Sequence, residues 1–403
     1  MLPRLRASLD FIPSPFPDKP GLVIRDPFQF SDVTLIIPPA LVSCLTFYDG
    51  EQSSLDLRAH LTRATASLTS SDVEAHLTEA LSKAGFLEDE NFAQRKFDAE
   101  KAFAEAPRRD PAHAGSGYPD EPIELRNTFA EYLAGPAPNP KPGKLLAIAA
   151  PHVSPFGGIE AYRSAYSCIT PEDADRTVVI LGTSHYGYPS RLGLTRKPFN
   201  TPYGATRPAM DLIDEIARKA SSSILMEDYC HAIEHSIEFQ VVFLQHLLGP
   251  NIRVLPILCG SYFDSIENGG VPEDDPIVER ALGTLGEIAA REGDRLLWVL
   301  GVDMAHMGRR YGDPLSATAG HGEMSEVERR DRDRIERLSA GDVGGYWERI
   351  QENQDDLKWC GSAPIYTFLR ALPEARGELM QYQQWNIDPD SVVSFAGIRF
   401  HSR

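Results

Sequence analysis

Histidines in this chain fall where apolar runs end. "LLAIAAPH" closes on His152, "VVILGTSH" on His185, and "LLWVLGVDMAH" supplies Asp303 and then His306. A fourth stretch, "CHAIEHSIEFQ", gathers His231, Glu234, His235, Ser236 and Glu238 at a predicted helix start. There the first backbone N–H groups point outward without intrahelical partners. A fifth, "LKWCGSAPIYTFL", sets Cys360 and Gly361 before another helical run. Two imidazoles joined by a thiolate or a carboxylate form the smallest donor set that holds a borderline divalent metal and leaves positions open. Each histidine alone reads more readily as a hydrogen-bonded structural residue. Their number points to a site.

The elements that must position these groups are legible in the same runs. "KLLAIAA", "TVVILG", "RVLPILC" and "RLLWVLG" are continuously apolar, as strands buried on both faces are. Helical stretches lie between them: "IEAYRSAYSCI", "AMDLIDEIARKA", "SIEFQVVFLQHLL" and "IVERALGTLGEIAARE". The alternation predicts an α/β, three-layer domain with a central mainly parallel or mixed sheet. In such sheets ligands bind beyond the carboxyl ends of the strands, where the connecting loops converge. A strand thus brings His185 to the surface beside the polar groups of its neighbours.

Composition narrows the function classes. The chain has 403 residues, 42% apolar and 24% charged, an ordinary globular balance with room for two domains. The net charge of −18 opposes binding to phosphate backbones or anionic membranes, so neither nucleic acid nor membrane is an expected partner. The opening "MLPRLRASLDFIPSPFPDKP" has no apolar core of the kind a secretory signal needs, and a cytoplasmic location is expected. Five scattered cysteines (44, 168, 230, 259 and 360) form no disulfide pattern and fit a reducing compartment. Cys44, Cys168 and Cys259 read as core residues, Cys230 and His231 as pocket wall, and His246 as a helix-surface or cap residue.

The first hundred residues differ in pattern. Ser53 and Asp56 have capping-box spacing, a second such start falls at Ser70 or Ser71 with Glu74, and Val73, Leu77 and Leu81 recur every four residues before Gly85, a predicted C-cap. We expect a small winged-helix-like α(+β) module over 1–92, loosely similar to PqqD-type peptide-recognition modules, then a connecting helix over 93–106. Residues 1–106 carry 10 Lys+Arg against 16 Asp+Glu, a balance of −6 that disfavours a DNA-reading role. "AGPAPNPKPGK" reads as a Pro-rich connector near the start of the larger domain.

Five ordered motifs, "APH" with Gly157-Gly158 downstream, "ILGTSH", "EHSIEFQ", "VDMAH" and "WCGSAPI", resemble the Memo family, which includes the B component of the AmmeMemoRadiSam system. "HAGSGYP" from His113 looks like that domain's N-terminal signature, and the resemblance covers 107–403. It implies a fold similar to class III extradiol (LigB-like) dioxygenases, which hold iron(II) with two His and one Glu. For Memo proteins it implies a set of two His and a Cys, matched here by His152, His185 and Cys360. Asp303, His306 and His235 match further pocket residues with proposed catalytic roles. Two departures are Tyr186, where many relatives have a second histidine, and Ala363, near which some carry another.

A coordinating cysteine binds as its thiolate, which favours iron(II) or copper, with zinc a third choice, over magnesium or calcium. His235 and His306 suit proton transfer and Asp303 suits orienting a histidine. The expected function is redox or oxygen-dependent chemistry on a small or peptide-bound substrate, with radical-SAM and AMMECR-type proteins as partners. The alternatives are a ring-cleaving dioxygenase and a non-enzymatic peptide-binding scaffold.

Overall fold

Four apolar runs pair in parallel at the centre of a mixed sheet. In the computed structural model, which describes residues 1–65, 70–135 and 143–402, strand Arg253–Cys259 lies beside Thr177–Thr183, then Leu296–Gly301, then Leu145–Ala150. The sheet continues antiparallel through Ser391–His401, which also pairs with Arg376–Asp388 and His306–Gly308. The short strand Leu192–Leu194, antiparallel to Arg253–Cys259, extends the other side. The Pro-rich connector expected over 134–144 falls largely outside the described residues.

Alternation along each central strand divides the core in two. Val179, Leu181, Trp298 and Leu300 point to one face, packed by helices Met210–Lys219, Pro276–Glu292 and Ser362–Ala371. Val178, Ile180, Leu297 and Val299 point to the other, packed by Pro122–Leu133, Ile159–Tyr166 and His235–Leu248. Helix, sheet, helix: the expected three-layer α/β fold with a mixed sheet is the observed one. Burial on both faces explains why the strands carry no polar alternation in sequence.

Two glycines let helix His235–Leu248 settle onto this sheet. A Cβ on Gly301 would overlap the Ser236 carbonyl oxygen, and one on Gly182 would meet the Ser236 hydroxyl and the Ile237 side chain. Gly301→Ala is therefore expected to destabilise the protein by about 1–3 kcal/mol, because backbone rather than a flexible side chain must move. A lower urea midpoint at unchanged slope is the readout.

The chain divides into compact units of residues 1–105 and 106–403. In the first, a three-stranded antiparallel sheet (Asp10–Pro13, Leu22–Arg25, Leu35–Ile37) precedes helices Ser54–Thr65, Ser70–Lys83 and Glu90–Glu105. The first two strands are four residues each, too short for their alternation to stand out in the sequence. The Ser53–Asp56 box forms reciprocally: the Ser53 N–H donates to Asp56 Oδ2 at 2.9 Å and the Asp56 N–H to Ser53 Oγ at 3.4 Å. Glu74 meets Arg58 of the preceding helix at 2.9 Å. Gly85 takes φ +71° and ends its helix as expected. The helix expected over 93–106 begins at Glu90 and belongs to the first unit, where Phe103 is buried and Arg95 donates to the Lys83 carbonyl. No helix among the described residues is long and apolar enough to cross a membrane.

Candidate metal centre

Ala150, Gly182 and Gly301 lie side by side in the register of three adjacent parallel strands. His152 and Asp303 therefore emerge side by side, with His185 one residue further along its own strand. Helix His235–Leu248 starts directly over these strand ends. Its Ser236 hydroxyl donates to the Thr183 carbonyl at 2.8 Å, and its Gln240 amide donates to the Pro151 carbonyl at 2.8 Å. The Cys360 segment is held to the same edge: Thr183 Oγ1 donates to the Cys360 carbonyl at 2.9 Å, and the Gly361 N–H donates to the Asp303 carbonyl at 3.0 Å.

Three imidazoles meet there. Ring centroids of His152, His185 and His235 are 5.0–5.1 Å apart, and one ring nitrogen of each lies within 4.8 Å of the others. Their tautomers follow from their partners. His152 Nδ1 donates to the Gly301 carbonyl at 2.9 Å. His185 Nδ1 lies 3.0 Å from Glu234 and His235 Nδ1 lies 3.2 Å from the same carboxylate. A carbonyl or carboxylate only accepts, so Nδ1 of His152 and of His185 carries a proton, and Nε2 becomes the donor atom once the ring is neutral. Metal-binding histidines are commonly oriented in this way.

Other electron-rich atoms face the same point. Cys360 Sγ lies 3.3 Å and Asp303 Oδ2 3.4 Å from His152 Nε2. With no proton on that nitrogen, lone pairs oppose one another unless a proton or a cation lies between them. The donor set, two or three imidazoles beside a sulfur, fits a transition metal by its chemistry.

Burial, aided by repulsion from His185 and His235, holds His152 well below the usual imidazole range. Burial pushes the Asp303 carboxyl up to about 7 and raises the Cys360 thiol, with His185 beside the sulfur acting in the opposite direction. Burial also opposes charge on His185, but Glu234 and Cys360 outweigh it and hold that ring well above the usual range. Glu234, only 2% exposed, is kept well below the carboxylate range by His185 and His235 against the cost of its burial.

The structure clusters His152, His185 and His235, whereas Cys360, the third ligand the motifs suggested, lies 3.3 Å from His152 Nε2 and outside that three-histidine group. Asp303 adjoins it; its Oδ1 accepts from the His152 N–H at 2.9 Å. His306 lies outside the three-histidine group, its Nδ1 bonded to the Met304 carbonyl at 2.9 Å and its ring 4.9 Å from that of Tyr311. Burial, with repulsion from His185, lowers His306 to about 4. His231 is buried and turned to the Gly193 carbonyl. Cys44 and Cys259 are core residues, whereas Cys168 is half-buried.

Sequence reasoning missed the shared role of Glu234 and the support behind it. Arg109 pairs with Glu238, and its guanidinium also donates to the His231 and Glu234 carbonyls. Glu238 accepts from the Ala112 and His113 N–H groups and the Tyr118 hydroxyl. The His113 ring lies 5.6 Å from that of His235. The available signal was "RRDPAHAGSGYP", whose arginine, histidine and tyrosine all reach this network.

Fold and site together define an α/β protein with a histidine-rich centre at the carboxyl edge of its sheet. The sequence profile of the family described as "Memo-like protein" matches residues 109–399, and the chain belongs to that family. A MEMO1 family protein of Aquifex aeolicus is 28% identical over 397 residues, covering 96% of this chain and 97% of its own. One from Thermococcus kodakarensis is 31% identical over 306 residues, covering 72% of this chain and 99% of its own. One from Methanopyrus kandleri is 28% identical with coverage of 72% and 98%.

Proposed function

We propose that this protein holds a redox-active transition metal, iron(II) or copper, through His152, His185 and Cys360, and performs redox or oxygen-dependent chemistry on a small or peptide-bound substrate. The observation that carries the reading is the convergence of three imidazoles, with His152 Nδ1 held by the Gly301 carbonyl, His185 Nδ1 by Glu234, and His235 Nδ1 3.2 Å from the same carboxylate. A bound ion there supplies electron transfer and open positions for a small ligand. Glu234 orients His185 and His235, and Asp303 accepts from the His152 N–H beside that ring. His306, its Nδ1 held by the Met304 and Lys358 carbonyls, is the proton carrier proposed beside the site. Radical-SAM and AMMECR-type proteins are the partners proposed, on the strength of the motif resemblance.

Anaerobic purification followed by metal analysis tests the reading. Near-stoichiometric iron or copper is expected in the wild type, with loss in His152→Ala, His185→Ala and Cys360→Ala. Metal that survives all three substitutions would place it elsewhere.

A further inference from the structure

Two of the loops that build the candidate metal centre are tied to one buried carboxylate that takes no part in it. Asp331 lies in the middle of helix Met324–Ala340 and is fully buried. Its Oδ1 accepts from Trp359 Nε1 at 2.6 Å, and its Oδ2 accepts from the Tyr382 hydroxyl at 2.8 Å and the Ser394 hydroxyl at 2.6 Å. Arg334, one turn further along, directs its guanidinium to the Arg349 carbonyl and to Asp355. Burial raises the Asp331 carboxyl, and the three donors act in the opposite direction. A well-packed apolar side chain would fill such a place at less cost than a desolvated carboxylate.

Its partners show what the carboxylate adds. Trp359 immediately precedes Cys360, and its buried ring has the Arg334 guanidinium 5.3 Å from its centroid. The Trp359 backbone N–H is fixed as well, by Asp355 Oδ2 at 2.8 Å. Ser394 Oγ accepts from the Ala305 N–H at 2.9 Å, and the Ser394 backbone pairs with Met304 and Ala305, between Asp303 and His306. The two loops are also bonded to each other. His306 donates from its backbone to the Leu357 carbonyl at 2.9 Å and from Nδ1 to the Lys358 carbonyl at 3.1 Å. Lys358 takes φ +53°, a strained conformation that persists only where its surroundings over-determine it.

We infer that Asp331 is a positioning residue for the metal centre: through the Trp359 indole and the Ser394 hydroxyl it fixes Cys360 Sγ against His152 and holds the loop of Asp303 and His306 beside it. The inference rests on the ligand role proposed for Cys360. The third donor, Tyr382, belongs to neither loop and provides an internal control. Asp331→Asn keeps the shape of the side chain. Its one carbonyl oxygen serves two donors only in the place of Oδ2, which turns the amide N–H₂ against the Trp359 indole N–H. Trp359→Phe removes the same bond from the other end, and Tyr382→Phe removes a bond to the same carboxylate that neither loop makes.

Two readouts test this. In protein loaded with cobalt(II), the sulfur-to-cobalt charge-transfer absorption is expected to weaken in Asp331→Asn and Trp359→Phe, with cobalt(II) affinity about tenfold lower. Tyr382→Phe is expected to keep the wild-type spectrum. In metal-free protein, alkylation of Cys360 by iodoacetamide, read on its peptide by mass spectrometry, is expected to run about tenfold faster in the first two variants and unchanged in the third. Cys259, buried in the core of the same unit, reports any global opening. A wild type without the sulfur-to-cobalt band would overturn the ligand reading of Cys360 and this inference with it. A wild type that shows the band, with spectrum and alkylation rate unchanged in both Asp331→Asn and Trp359→Phe, would overturn the inference alone. Equal effects in Tyr382→Phe, or Cys259 accelerated as much as Cys360, would do the same by marking the carboxylate as merely structural.

Discussion

Glu234→Gln is expected to lower metal affinity about 10–100-fold, the usual cost of removing the group that orients a ligand histidine. The carboxylate accepts from the backbone N–H and Nδ1 of His185 and from the N–H groups of His235 and Ser236, and lies 3.2 Å from His235 Nδ1. Every one of these neighbours is a donor. An isosteric amide turns its own N–H₂ toward at least one of them and forfeits the negative charge that offsets a cation. Competition against a chelator of known affinity measures the loss. Unchanged affinity would mean that Glu234 serves only as a helix cap.

Arg109→Met is expected to destabilise the protein by about 3–5 kcal/mol, because it leaves Glu238 buried and charged without its partner. Both side chains are at most 1% exposed. The Tyr118 hydroxyl and two backbone N–H groups remain on Glu238, but the cation does not. Urea denaturation reads the change, and Glu238→Gln in the same background should recover part of it by removing the uncompensated charge. If the single variant keeps the wild-type midpoint, this pair contributes no net stability. The same substitution frees the carbonyls of His231 and Glu234, so a weaker metal site at temperatures where the fold persists is a second consequence.

Much of the site was readable without coordinates. His152, His185, Asp303 and Cys360 stood out because each follows an apolar run or precedes a helix, positions that an α/β sheet collects at one edge. Glu234 was visible as part of a polar cluster, but its role was hidden: nothing in "EHSIEFQ" says that one carboxylate faces two rings from different segments. Arg109 lies more than 120 residues from the carbonyls it binds, a separation that no local pattern reports. The strands Asp10–Pro13 and Leu22–Arg25 escaped for the opposite reason, being too short for periodicity to register.

What the sequence by itself determined is the alternation of buried strands and amphipathic helices and the residue types waiting at their ends, since burial on two faces and capping chemistry are written locally. Tertiary structure alone decided which ring nitrogens face the common point and which carbonyls and carboxylates hold their protons. Those choices depend on hydrogen bonds between segments far apart in the chain, made only once strands register and the helix settles onto Gly182 and Gly301.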